Sequence, residues 1–136
     1  MSGHVRAQAT LELAIAAPLL LTILVALVNI GHVVRAELGV QAIAHEAART
    51  CAEARSAASC LESGLARAAG VAAGYGFDTR RLDARIDAGT FDRGGLATAH
   101  VRYPVSLLGG TLVMVVAASD HSEPIDRYAS RDGARS

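Results

Sequence analysis

Tryptophan is absent from this chain, and aromatic residues make up only 4% of it. Little is left to line a sugar-binding or base-stacking site. Lysine is absent as well, so Arg supplies every one of 13 basic side chains, which balance 13 acidic ones to a formal net charge of zero. A neutral balance offers no basic field for nucleic acid and no acidic tail for a cationic substrate. Sulfur chemistry is limited to Cys51 and Cys60 and two methionines. A C-x8-C pair with no adjoining C-x2-C or His cluster is a poor zinc site. Gly74, Tyr75 and Gly76 lack the third glycine and the preceding strand of a nucleotide loop and read as a turn. His45 and Glu46 are not part of an H-E-x-x-H motif, because Arg49 stands where the second His would be; a solvated helix face is expected there, with no metal. Asp120, His121 and Ser122 are triad residue types, but sequence neighbours seldom converge into a triad. No enzyme and no cofactor is expected.

What the chain does have is a long uncharged run from Leu13 to Val34. Twenty or so such residues cross a bilayer as a helix. The leader, Met1 to Ala7, carries the amino terminus, His4 and Arg6. It should therefore stay on the cytoplasmic side, with the carboxyl-terminal bulk outside. Glu12 stands at the entrance of the run. A carboxylate costs up to about 3 kcal/mol at mid-bilayer and less near the interface, so its position calls for a partner. Pro18 lies inside the run, where it deletes a backbone bond and favours a kink that neighbouring helices can satisfy. Asn29, Gly31 and His32 mark a polar, closely packed exit from lipid. A cleaved secretory signal is the rival reading. Residues 42–44, Ala-Ile-Ala, have the small-x-small form, but Arg35 and Glu37 separate them from the apolar run.

The combination of a basic leader, Gln8-Ala-Thr-Leu-Glu12, Pro18 six residues later and a Leu-rich run resembles the TadE-like pilus assembly family. These are pseudopilins of the tight-adherence branch of type IV pilus systems. The resemblance is specific from Arg6 to Arg49. It implies cutting by a prepilin peptidase between Ala7 and Gln8, leaving Gln8 as the new amino terminus. The family usually has Gly before the cut, and this chain has Ala7, which is small enough for a tight subsite. After the cut, the Gln8 amine of one subunit can neutralise Glu12 of its neighbour and fix axial register. The alternative is that Glu12 only caps the start of the helix, at the positive end of its dipole. Implied partners are membrane lipid, the prepilin peptidase, a major pilin, another minor pseudopilin, a platform membrane protein and a cytoplasmic ATPase. The implied location is the cytoplasmic membrane, single-pass, or the surface fibre. The reading from another class is a membrane-anchored extracytoplasmic binding module with an uncleaved signal anchor.

Beyond the span the pattern is α+β. Leu38, Ile43, Ala47 and Cys51 recur at a helical period. An even cysteine count in an extracytoplasmic segment reads as a disulfide, against the alternative of two free thiols. Nine residues of straight helix would hold Cys51 and Cys60 about 13 Å apart, whereas a disulfide needs α-carbons within about 7 Å. A bond therefore requires a break near 55–59. A second short helix is expected over Leu61–Ala73. Alternation predicts strands over Arg81–Asp87 and Leu96–Val105, with Pro104 ending the second or lying at an edge. A turn at Gly109 and Gly110 and a third strand over Thr111–Ala118 complete a small antiparallel sheet. The expected organisation is a leader over 1–7, a transmembrane helix over 8–34, a helix-plus-sheet domain over 35–119 and a mobile tail over 120–136.

Overall fold

One helix, α1 (Ser2–Ala52), runs through both the apolar run and the stem that follows it, 51 residues without interruption. At 1.5 Å per residue it is about 77 Å long. The computed structural model describes residues 2–92, 94–108 and 114–125, with side chains of α1 described from Glu12 onward. The two halves of α1 have different surroundings. From Glu12 to Arg35 the side chains are exposed or at most half-buried, including Leu13, Leu20, Leu27 and Ile30. From Ala36 onward a stripe is buried: Ala36, Val40, Ile43, Ala44, Ala47, Ala48 and Cys51. Steps of three and four place these residues on one face, which packs under the rest of the chain.

Helix α2 (Ala57–Gly74) begins four residues earlier than Leu61. The reason is a capping box: Ser56 and Ser59 each accept from the other's backbone N–H, 3.2 and 3.1 Å. Such a cap is worth about 1 kcal/mol. The buried face of α2 is Cys60, Gly64, Ala68 and Ala72, one small residue every fourth position. This face lies against the small residues of α1. A Cβ at Gly64 would stand 3.2 Å from the Ala47 carbonyl oxygen and would collide with the Ile86 side chain. The chain reverses over Glu53–Ser56, two residues earlier than the break expected at 55–59, and residues 57–59 already belong to α2. Cys51 and Cys60 are bonded, with α-carbons 4.0 Å apart, and both are fully buried. Closing a loop of this size removes about 2–3 kcal/mol of unfolded-chain entropy.

The sheet is an antiparallel meander of β1 (Asp83–Asp87), β2 (Leu96–Ser106) and β3 (Met114–Pro124), in that spatial order. A 3-10 turn at Thr79–Arg81 delays β1 by two residues relative to expectation, because Asp78 caps it through the Arg80 N–H. Ala97, Ala99, Val101 and Val105 of β2 face the helices. Pro104 lies inside β2, the central strand, without ending it. Strand β1 pairs no further than Arg102. The Pro104 carbonyl accepts from Arg81 on the β1 side, and a strand residue points its N and its carbonyl to the same side. The missing N–H therefore falls where no strand needs it.

Strand β3 continues through Pro124 instead of stopping at Ala118, while its expected start at Thr111 and the turn at Gly109 and Gly110 lie outside the described residues. The expected tail thus loses its first residues to the sheet, and 126–136 lie outside the described residues. Polar residues carry this extension through cross-strand pairs. His100 Nδ1 is 2.7 Å from Asp120, and Thr98 Oγ1 is 2.8 Å from Ser122. Ile125 follows, buried beside the disulfide, and its N–H donates to the Gly95 carbonyl at 2.9 Å.

Candidate functional site: the spanning helix and its junction with the head

The apolar half of α1 is long and apolar enough to cross a membrane, and none of its most apolar stretch is covered by the other described residues. The core helix of a soluble protein would have its apolar residues packed. These have no such cover. Ala7 and Gln8 fall within the helical backbone, and their side chains lie outside the described set. Glu12 is exposed at the lower end of the apolar stretch. It does not cap α1, which begins ten residues earlier at Ser2. Dipole effects fade within the first turn, so the capping alternative does not apply to the uncut chain.

Pro18 interrupts neither helix nor register. It leaves the Ala14 carbonyl without its usual donor, while the Pro18 carbonyl accepts an additional bond from Thr22 Oγ1 at 2.8 Å. Among the described residues Gly31 serves no close packing, since a Cβ there would meet nothing within 4 Å. The close approach is made instead by Gly39, where a Cβ would collide with the Phe77 ring.

Asn29 has the most definite role of the residues singled out from the sequence. Its Nδ2 donates to the Leu108 carbonyl at 3.1 Å, and its Oδ1 accepts from the Leu108 N–H at 2.7 Å. A side-chain amide thus imitates a strand neighbour for the end of β2. Leu108 itself is exposed, as are Met114 and Val116 at the start of β3. This end of the β2–β3 hairpin is therefore apolar and sits beside the apolar helix.

Just above it a cleft of about 330 Å³ is lined by His32, Arg35, Tyr75, Phe77, Arg81 and Tyr103, among others. Arg35 donates to the Tyr75 carbonyl at 3.2 Å, and Phe77 stacks on Tyr103 with centroids 4.3 Å apart. Arg81 lies over the same Tyr103 ring, 5.9 Å from its centroid. Cations and aromatic rings together at the end of an apolar helix are the usual composition of a membrane–water interface.

At the far end of the stem, His45 is exposed and Glu46 half-buried, in keeping with a solvated helix face, and both make contacts beyond α1. The His45 and His121 rings lie 4.7 Å apart, and Glu46 accepts two bonds from Arg67 of α2, 2.7 and 3.1 Å. The guanidinium beside it holds the Glu46 carboxyl below the usual carboxylate range. Glu53, one turn on, raises Arg49 in the same way through a hydrogen bond of 3.1 Å. Asp120 and Ser122 face the opposite side of β3 from His121, so these three do not converge. Sequence reasoning missed Gly39, Gly64 and Leu108. Only Gly64 left a local signal, the repeat of small residues every fourth position from Cys60 to Ala72.

No curated protein and no solved structure matches the chain. A family model does match, over the apolar half of α1 and the stem up to Arg49. Residues 7–49 match the model of the TadE-like protein family, the family that Gln8 to Pro18 resemble.

Proposed function

We propose that the protein is a minor pseudopilin of a tight-adherence type pilus. It is inserted in the cytoplasmic membrane by α1, cut between Ala7 and Gln8 by a prepilin peptidase, and active in pilus assembly and adhesion without being an enzyme. The observation that carries this reading is the division of α1. One unbroken helix leaves its apolar first half uncovered by the other described residues and gives its second half to the core of the head.

The same division weighs against release by signal cleavage after Ala44. A cut there would remove Ala36, Val40, Ile43 and Ala44 from the core they share with the sheet. The hairpin end clamped to Asn29 and the Arg–Tyr cleft above it support a bilayer boundary close to Asn29–Arg35. Twenty residues counted from Glu12 reach Gly31, which agrees with a core about 30 Å thick. In an assembled fibre, the Gln8 amine of one subunit would neutralise Glu12 of the next. The uncovered side of α1 is then the surface offered to a major pilin or a second minor pseudopilin. Ala7, standing where the family has Gly, favours the second reading of an uncut membrane anchor bearing a binding module.

Mass spectrometry of the amino terminus of protein isolated from cells separates the readings. A chain beginning at Gln8, together with normal insertion but reduced fibre yield for Glu12→Ala, is the expected result. A chain that still begins at Met1, with fibres unaffected by Glu12→Ala, overturns the pilin assignment.

A further inference from the structure

His45 projects from α1, and His121 and Glu123 project from the same face of β3, two residues apart. The topology brings together side chains 76 and 78 positions apart in sequence. Glu123 Oε1 is the shared centre, 3.0 Å from His121 Nε2 and 3.8 Å from His45 Nε2. One ligand atom from each residue lies within 4.8 Å of the others. Donors around a tetrahedral ion bound at about 2.0–2.2 Å stand about 3.3–3.6 Å from one another. The observed separations straddle that range, so small side-chain rotations would close the set. We propose that His45, His121 and Glu123 bind one divalent transition-metal ion of the zinc class.

The chemistry of the donors sets that class. Two imidazoles and one carboxylate suit zinc, nickel or copper and are poor ligands for calcium or magnesium, which prefer oxygen. The surroundings place a carboxylate on the side where metal-bound imidazoles have their orienting partner. With His45 Nε2 turned to the metal, its Nδ1 faces Glu46 Oε1 at 3.9 Å, and Arg67 anchors the other oxygen of Glu46. A small turn of the ring would bring that carboxylate within hydrogen-bonding reach, where it would orient the imidazole. Protons compete for both rings. The charged groups around them are Glu46, Glu123, Arg67 and Arg49, and Arg49 is already engaged by Glu53. Three protein ligands leave a fourth position for water, because the His45 side chain is 48% exposed. The bound ion would tie the end of β3 to the stem on the face opposite the His100–Asp120 pair.

The test is titration of Zn²⁺ into the full chain in detergent micelles, non-reducing and freed of metal by chelator, followed by calorimetry and thermal unfolding. Expected are one ion per chain, a dissociation constant of about 1–10 µM, and a rise in melting temperature that chelator reverses. His121→Ala and Glu123→Gln should each weaken binding at least about tenfold, and His100→Ala should leave it unchanged. Glu123→Gln keeps side-chain volume and so reports even where His121→Ala folds poorly. Absence of binding in the parent chain overturns the proposal. So does binding that survives both site substitutions, or that is lost only in His100→Ala.

Discussion

The Asn29 carboxamide forms two hydrogen bonds with one residue, Leu108, donating to its carbonyl and accepting from its N–H. The partners are 79 positions apart, and the contact ties the spanning part of α1 to the end of β2. Close to lipid, backbone groups must find partners inside the protein. A polar side chain in an apolar helix here pairs with the backbone just beyond the end of β2.

Replacing Asn29 with Leu should leave membrane insertion intact and free the Leu108 backbone. The expected cost is about 1–3 kcal/mol if both groups lose their partners. Amide hydrogen exchange of the full chain in micelles reads this directly, as faster exchange at Leu108 with little change at Val101. Unchanged exchange at Leu108 would mean that the pair is dispensable.

Two glycines of α2 should respond to alanine with opposite signs. At Gly70 a Cβ meets nothing within 4 Å, so Gly70→Ala should stabilise the helix by about 1 kcal/mol through propensity alone. At Gly64 the same methyl meets Ile86 and the Ala47 carbonyl. Overpacking of about 1–3 kcal/mol then outweighs the propensity gain. Denaturant unfolding should rank Gly70→Ala above the parent and Gly64→Ala below it, with Ile86→Val recovering part of the loss. A stabilising Gly64→Ala would show that α1 and α2 can separate at no cost.

Acid should weaken the α1–α2 contact through Glu46. Its carboxyl is depressed in the folded chain from an ordinary value near 4.5, first by the Arg67 hydrogen bond. A depressed carboxylate contributes stability that is present above its unfolded pKa and lost as pH falls through the lower folded value. Glu46→Gln should therefore lose less stability than the parent between about pH 5 and pH 3. Parallel pH profiles for the two proteins would indicate that solvent screens the pair completely.

The elements legible in the sequence are those whose cause is local. Leu13–Val34 declares itself by the absence of charge, and Ala97, Ala99, Val101 and Val105 by alternation. The reversal between Cys51 and Cys60 follows from the reach of a disulfide. Where the cause is distant, the sequence is silent. Asp120, Ser122 and Glu123 look like a solvated tail, because nothing near them shows that His100, Thr98 and His45 wait across the sheet and on the stem. Gly31 attracted attention by its place in an apolar helix, whereas Gly39 became important only once Phe77 was folded against it.

Because a single helix runs from the uncovered apolar segment into the head, the two ends share one angular setting. Each residue inserted between Val34 and Ala36 would turn the head by about 100° and raise it by about 1.5 Å. The compass bearing of the sheet is thus tied to the angular setting of the apolar shaft below it.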